Sequence, residues 1–129
     1  MSPPKRTGLA RCVASFGCAL RGLWILVATQ ANARIHAAAT VLTICAGFWL
    51  GLTRLEWCAI IGVIGLVWAA EGLNTALEFL TDLVSPGHHP LAGKAKDVAA
   101  GAVLAAAMAA AAVGAIIFGP KLLMLARGS

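Results

Sequence analysis

The sequence predicts an all-α integral membrane chain with an N-terminal amphipathic surface helix and three transmembrane helices. Three observations carry this. Of its 129 residues, 60% are hydrophobic and only 12% are charged, and the mean hydropathy is +0.88, far from the composition of a soluble domain. The apolar residues come in long runs, which makes the bilayer the solvent. Polar joints and Pro/Gly clusters punctuate those runs. The length suits a single domain, 1–129.

"MSPPKRT", residues 1–7, is a short polar tail. Over residues 8–28 the pattern turns helical: Leu9, Val13, Phe16, Leu20, Leu23, Trp24 and Val27 fall within an arc of roughly 100°. Arg11, Ser15, Cys18 and Gly22 lie opposite. Such a helix is expected to lie in the membrane surface. No small-residue cleavage site follows it, so a secretory signal is not expected. "ATQANARIH", residues 28–36, reads as a polar joint, and residues 35–52 as the first span. "TRLE", residues 53–56, reads as a tight turn, and residues 57–84 as the second span. "SPGHHPLAG", residues 85–93, breaks the pattern. The third span is expected over 98–118, with Gly119-Pro120 ending it.

Lys5, Arg6, Arg11, Arg21, Arg34, Lys94 and Lys96 stand on one side of these spans, against Arg54, Lys121 and Arg127 on the other. The positive-inside rule then puts the N-terminus and the 85–97 loop in the cytoplasm. Nucleic acid is a poor partner for this charge, because the basic residues are scattered and no aromatic stacking pattern accompanies them. Cys12, Cys18, Cys45 and Cys58 form no CxxC and have no His at zinc spacing. They are expected to be small buried residues, without a disulfide. The third span, "VAAGAVLAAAMAAAAVGA", is built of small residues that let helices approach closely, so an oligomer is expected.

The chain has five acidic residues, and three of them lie in "EGLNTALEFLTD", residues 71–82. On a helix, Glu71, Asn74, Thr75, Glu78 and Asp82 share an arc of roughly 100°. Glu71 would begin that stripe about 21 Å along the helix from Trp57, inside the membrane boundary. An intramembrane acid points to function, because a charge near hydrocarbon costs a few kcal/mol. A partly dehydrated carboxylate suits general-base work, which makes Glu71 the candidate base. Glu78, nearer water, suits a metal. "GKAKD", residues 93–97, is expected to open the next helix with Lys94 and Lys96 beside free backbone N–H groups, an anion site. No Walker A pattern is present, so a nucleotide site here is not a P-loop. His88 and His89 either line a nucleotide pocket or are solvated loop residues. Carboxylates on one helix and lysines on the next suit a Mg²⁺-bound polyphosphate facing a lipid hydroxyl.

At these residues the sequence resembles the small prokaryotic diacylglycerol kinase and undecaprenol kinase family. "AEGLNTALEFLTDLV", "HPLAGKAKDVAAGAVL" and "NARIH" carry the resemblance, which spans about residues 8–121. It implies a homotrimer in the bacterial cytoplasmic membrane, with active sites at subunit interfaces. It also implies transfer of the γ-phosphoryl group of MgATP to a lipid hydroxyl at the cytoplasmic face, the lipid being undecaprenol or diacylglycerol. By the same resemblance Glu71 is the catalytic base, and Glu78 with Gln30 the metal ligands. ATP contacts are implied for Arg11, Cys18, Gln30, Glu78, Gly87, His88, His89, Lys96 and Asp97. Lipid contacts are implied for Ser15, Phe16, Arg34, His36, Glu71 and Asn74, with Asp82, Gly93 and Lys94 in support. Gln30 departs from the family, whose members usually carry a glutamate in the joint as a second carboxylate on the metal. That departure keeps a catalytically weak or non-catalytic relative as an alternative. A small proton-coupled transporter using Glu71 is another, although it leaves the GKAKD element without a role.

Overall fold

The computed structural model describes residues 7–128, which form four helices: α1 (Gly8–Thr29), α2 (Ala31–Leu50), α3 (Arg54–Val84) and α4 (Pro90–Arg127). Lys5 and Arg6 of the predicted tail lie outside the described residues. All four helices are long and apolar enough to cross a membrane, α1 included.

Local chemistry sets the boundaries, and several differ from the sequence expectation. The joint at 28–36 is one residue wide: only Gln30, with φ −105° and ψ 121°, leaves the helical region between α1 and α2. Gly51 closes α2 at φ 67°, a left-handed conformation that glycine takes without a side-chain clash. The following turn is also shorter than "TRLE" suggested. Thr53 and Glu56 form a reciprocal capping box, Thr53 N donating to Glu56 Oε2 at 2.8 Å and Glu56 N to Thr53 Oγ1 at 3.2 Å. Arg54–Glu56 is therefore already the first turn of α3.

The correction is largest at α4. The helix starts at Pro90, well before the predicted span at Val98, because Pro suits the first helical position. His89 caps it, its Nδ1 accepting from Leu91 N at 3.2 Å. Lys94 and Lys96 thus stand in the second turn, not beside the free N–H groups of the helix end. Nor does Gly119-Pro120 stop the helix, which continues through Pro120 to Arg127. Lys121 anchors the continuation, pairing with Glu56 at 3.1 Å and donating to Gly51 O at 3.5 Å.

These contacts fix an antiparallel α3–α4 hairpin at both ends, Glu56–Lys121 at one and Asp82–Lys96 at the other. On the other side α2 runs antiparallel to α3, with Trp68 Nε1 donating to Thr40 Oγ1 at 3.0 Å. Nearer the turn, Gly47 meets the Trp57 ring, which also contacts Phe48 at a centroid distance of 4.9 Å. The end of α1 packs on the group through buried Leu26, near Gly72 of α3.

The interior is thin. Leu26, Ala33, Ile60, Val67, Ala99, Ala106 and Ile117 are its buried apolar residues, while most large hydrophobic side chains face outward. The four cysteines, expected to be buried, are free and exposed on the single chain. Four helices enclose too little volume to cover them.

A Cβ at Gly47 would stand 2.8 Å from Trp57 Cη2 and 3.0 Å from Leu52 Cδ1. Gly47→Ala is therefore expected to destabilise the α2–α3 packing by about 1–3 kcal/mol, as overpacking does. Gly47→Leu should cost more. Loss of helicity across a titration of denaturing detergent measures both.

Candidate functional site

On α3, the face that carries the acidic stripe is also the face turned inward. Glu71 is 1% exposed, Thr75 4% and Asn74 7%, all more hidden than most of the leucines on the same helix. Glu78, two turns further on, is half-buried and Asp82 is exposed. Along α3 the stripe thus runs from buried Glu71 to exposed Asp82.

Glu71, Asn74 and Glu78 line a cavity of about 310 Å³ with Asn32, Ile35 and His36 of α2 and Ala100, Val103, Leu104 and Ala107 of α4. Two of the four α4 lining residues, Ala100 and Ala107, carry only a methyl group. Asn74 Nδ2 donates to Glu78 Oε1 at 3.3 Å. His36 Nε2 stands 3.7 Å from Glu71 Oε2, a contact longer than a hydrogen bond. Glu71 Oε2, Asn74 Oδ1 and Thr75 Oγ1 are buried without a hydrogen-bond partner among the described residues. An unsatisfied buried polar atom costs about 1–3 kcal/mol. Three within two helical turns mark a surface made for a donor or cation that the single chain does not supply.

A second cavity, of about 530 Å³, lies at the α3–α4 turn. Asp82, Gly87, His88, His89, Gly93, Lys94, Lys96 and Asp97 line it together with Thr81. Asp82 accepts a hydrogen bond from Lys96 Nζ, so the lysines face this cavity and an acid shares it. Glu78 and Asp82 are one helical turn apart, which makes the two cavities neighbours along α3.

The remaining predicted residues lie elsewhere. Arg11, Ser15, Phe16 and Cys18 are exposed on the first half of α1, and Arg34 is exposed on α2. Gln30 sits at the α1–α2 break, its Nε2 donating to Thr29 Oγ1 at 3.1 Å. The His36–Glu71 and Thr40–Trp68 contacts set the α2–α3 register. In that register Gln30 and Glu78 stand at one level of the bundle, each about two turns beyond the His36–Glu71 pair. Among the described residues no group of three or more His, Cys, Asp or Glu could hold a metal by itself.

Asn32 and Ile35 were missed as lining residues. Asn32 carried a legible signal, since it precedes His36 by four residues and so shares its helical face. The α4 lining carried none, because Ala, Val and Leu are uninformative until the helix pairing is known.

Comparison with known proteins is consistent over nearly the whole chain. The family model described as prokaryotic diacylglycerol kinase matches residues 17–118. An undecaprenol kinase of Bacillus subtilis is 43% identical over 121 residues, covering 94% of this chain and 98% of that protein. A diacylglycerol kinase of Synechocystis is 45% identical over 112 residues, 86% of this chain and 64% of that protein. A diacylglycerol kinase of Escherichia coli (strain K12) is 31% identical over 104 residues, 81% of this chain and 85% of that protein. With its buried carboxylate and the adjoining basic cavity, the chain belongs to the prokaryotic diacylglycerol kinase family, a family of lipid kinases.

Proposed function

We propose that this chain transfers the γ-phosphoryl group of ATP to the hydroxyl of a membrane lipid at the cytoplasmic face of the bacterial inner membrane, giving a lipid phosphate and ADP. The observation that carries the reading is the buried Glu71 carboxylate, in a cavity next to the lysine-lined cavity at the α3–α4 turn. Glu71 accepts the hydroxyl proton as the lipid oxygen bonds to the γ-phosphorus. The bond from that phosphorus to the β,γ-bridging oxygen breaks, and ADP leaves. Asn74, held by Glu78, keeps its Oδ1 available as an acceptor beside the reacting group. Lys94 and Lys96 place positive charge near the phosphates, and such electrostatics with positioning suit phosphoryl transfer.

Mg²⁺ bound to nucleotide needs only one or two protein carboxylates, with phosphate oxygens and water completing the shell. Glu78 as carboxylate and Gln30 as amide oxygen, at one level of the bundle, fit that modest requirement. When bound, the ion neutralises charge on the β- and γ-phosphates.

Undecaprenol is the favoured acceptor and diacylglycerol the second, because the undecaprenol kinase relative matches at nearly full length in both chains. The exposed α1 residues enter the site by oligomerisation in this reading. Arg11, Ser15, Phe16 and Cys18 reach the cavities of another copy, and a homotrimer places one site at each interface. The exposed Leu9, Val13, Phe16 and Trp24 suit α1 to the membrane surface, with Arg11 and Arg21 toward headgroups.

The reading is tested with purified protein in mixed micelles, labelled MgATP, and undecaprenol and diacylglycerol offered side by side. Transfer to neither lipid would leave a non-catalytic family member. Glu71→Gln is expected to lower kcat by about 100-fold or more, the scale of general-base loss, with little change in KM for ATP. Gln30→Glu adds a charged ligand and is expected to lower the Mg²⁺ concentration at half-maximal rate several-fold, measured by metal titration at fixed ATP.

A further inference from the structure

His36 is the lining side chain that reaches Glu71, yet its place against the carboxylate is not dictated by packing alone. His36 also lines an apolar cavity of about 340 Å³ between α2, α3 and α4, with Thr40, Thr43, Ile60 and Val67 among its walls. That space offers the imidazole room away from the acid.

A hydroxyl on α2 links this part of the helix to α3. Thr40 Oγ1 donates to the His36 carbonyl oxygen at 2.7 Å and accepts from Trp68 Nε1 at 3.0 Å. The hydroxyl proton is used on one side and a lone pair on the other. Trp68 precedes Glu71 by three residues on α3, one turn along the same helix. One side-chain bridge therefore ties the backbone carrying His36 to the helix turn carrying Glu71. A partly buried indole N–H needs an acceptor, and here it finds the residue that also binds His36.

We propose that Thr40 and Trp68 are positioning residues for the lipid-kinase site, a role that rests on the function proposed above. Their hydrogen bond keeps α2 in register so that His36 Nε2 engages one oxygen of the Glu71 carboxylate. The other oxygen is left for the lipid hydroxyl. The 3.7 Å separation closes to a hydrogen bond when substrate enters, as catalytic contacts commonly tighten in the loaded enzyme. Neither Thr40 nor Trp68 touches the reacting atoms in this scheme.

The test uses the full chain in mixed micelles and measures kcat and both KM values. Thr40→Val and Trp68→Phe are each expected to lower kcat by about fivefold, the scale of one neutral hydrogen bond, with KM for ATP unchanged. The double variant should lose no more than Thr40→Val alone, because the Thr40–Trp68 bond is already absent there. Thr40→Ser, which keeps the hydroxyl, should recover the rate. In a His36→Ala background, Trp68→Phe should have no further effect. Unchanged kcat in Thr40→Val and Trp68→Phe overturns the proposal, as does an undiminished loss in the His36→Ala background. The imidazole ¹⁵N resonances of His36, assigned against His36→Ala, give a readout without turnover. They are expected to shift in Trp68→Phe, which leaves the Thr40–His36 bond in place, and no shift overturns the bridge. An inactive wild type overturns the kinase reading and the positioning role with it, whereas the ¹⁵N shift still decides whether the bridge exists.

Discussion

Burial of the Glu71 carboxylate constrains the rest of this structure. An ionisable side chain, 1% exposed on a helix whose outer face is Leu, Ile and Val, is costly to bury without compensation. The chain places it where three helices meet and puts a histidine 3.7 Å away. It leaves Glu71 Oε2, Asn74 Oδ1 and Thr75 Oγ1 without hydrogen-bond partners among the described residues. That is a poor arrangement for stability, and local cost of this kind is characteristic of sites built to receive something. Around it the structure must be held by other means, since the buried apolar core is small.

Those means sit at the ends and along the sides of α3. Glu56–Lys121 and Asp82–Lys96 fix the register with α4 at its two extremes. Thr40–Trp68 and the Gly47–Trp57 approach fix the register with α2. Exposed ion pairs such as Asp82–Lys96 add little stability, but a register needs only enough bias to reject a one-turn slip. The alanines of α4 permit close approach, and two of them, Ala100 and Ala107, line the cavity beside Glu71. One composition thus serves both packing and access.

The outward face carries the second consequence. Leu9, Phe16, Trp24, Phe48, Trp49, Leu73 and Val98 are all exposed on the single chain, an arrangement suited to lipid and to other membrane helices but not to water. In the proposed trimer the α1 residues meet the cavities of another copy. The modest single-chain core and the partly unsatisfied site both accord with that proposal.

Periodicity and composition alone determined the four helical segments and the clustering of Glu71, Asn74, Thr75 and Glu78 on one face. The motifs in 70–84 and 89–104 led to the family that the comparisons then matched. These are local properties, set by side-chain spacing along one helix. The sequence placed helix ends less well, putting the start of α4 at Val98 and its end at Gly119-Pro120. A cap such as His89 and an anchor such as Lys121 act through contacts that spacing does not display. Only the tertiary structure decided that Asn32 and Ile35 share a cavity with Glu71, that Lys96 faces Asp82, and that Thr40 joins Trp68 to His36. Each of these depends on the register between antiparallel helices. That register is chosen by cross-helix contacts among residues far apart in the chain, so no window along the sequence contains it.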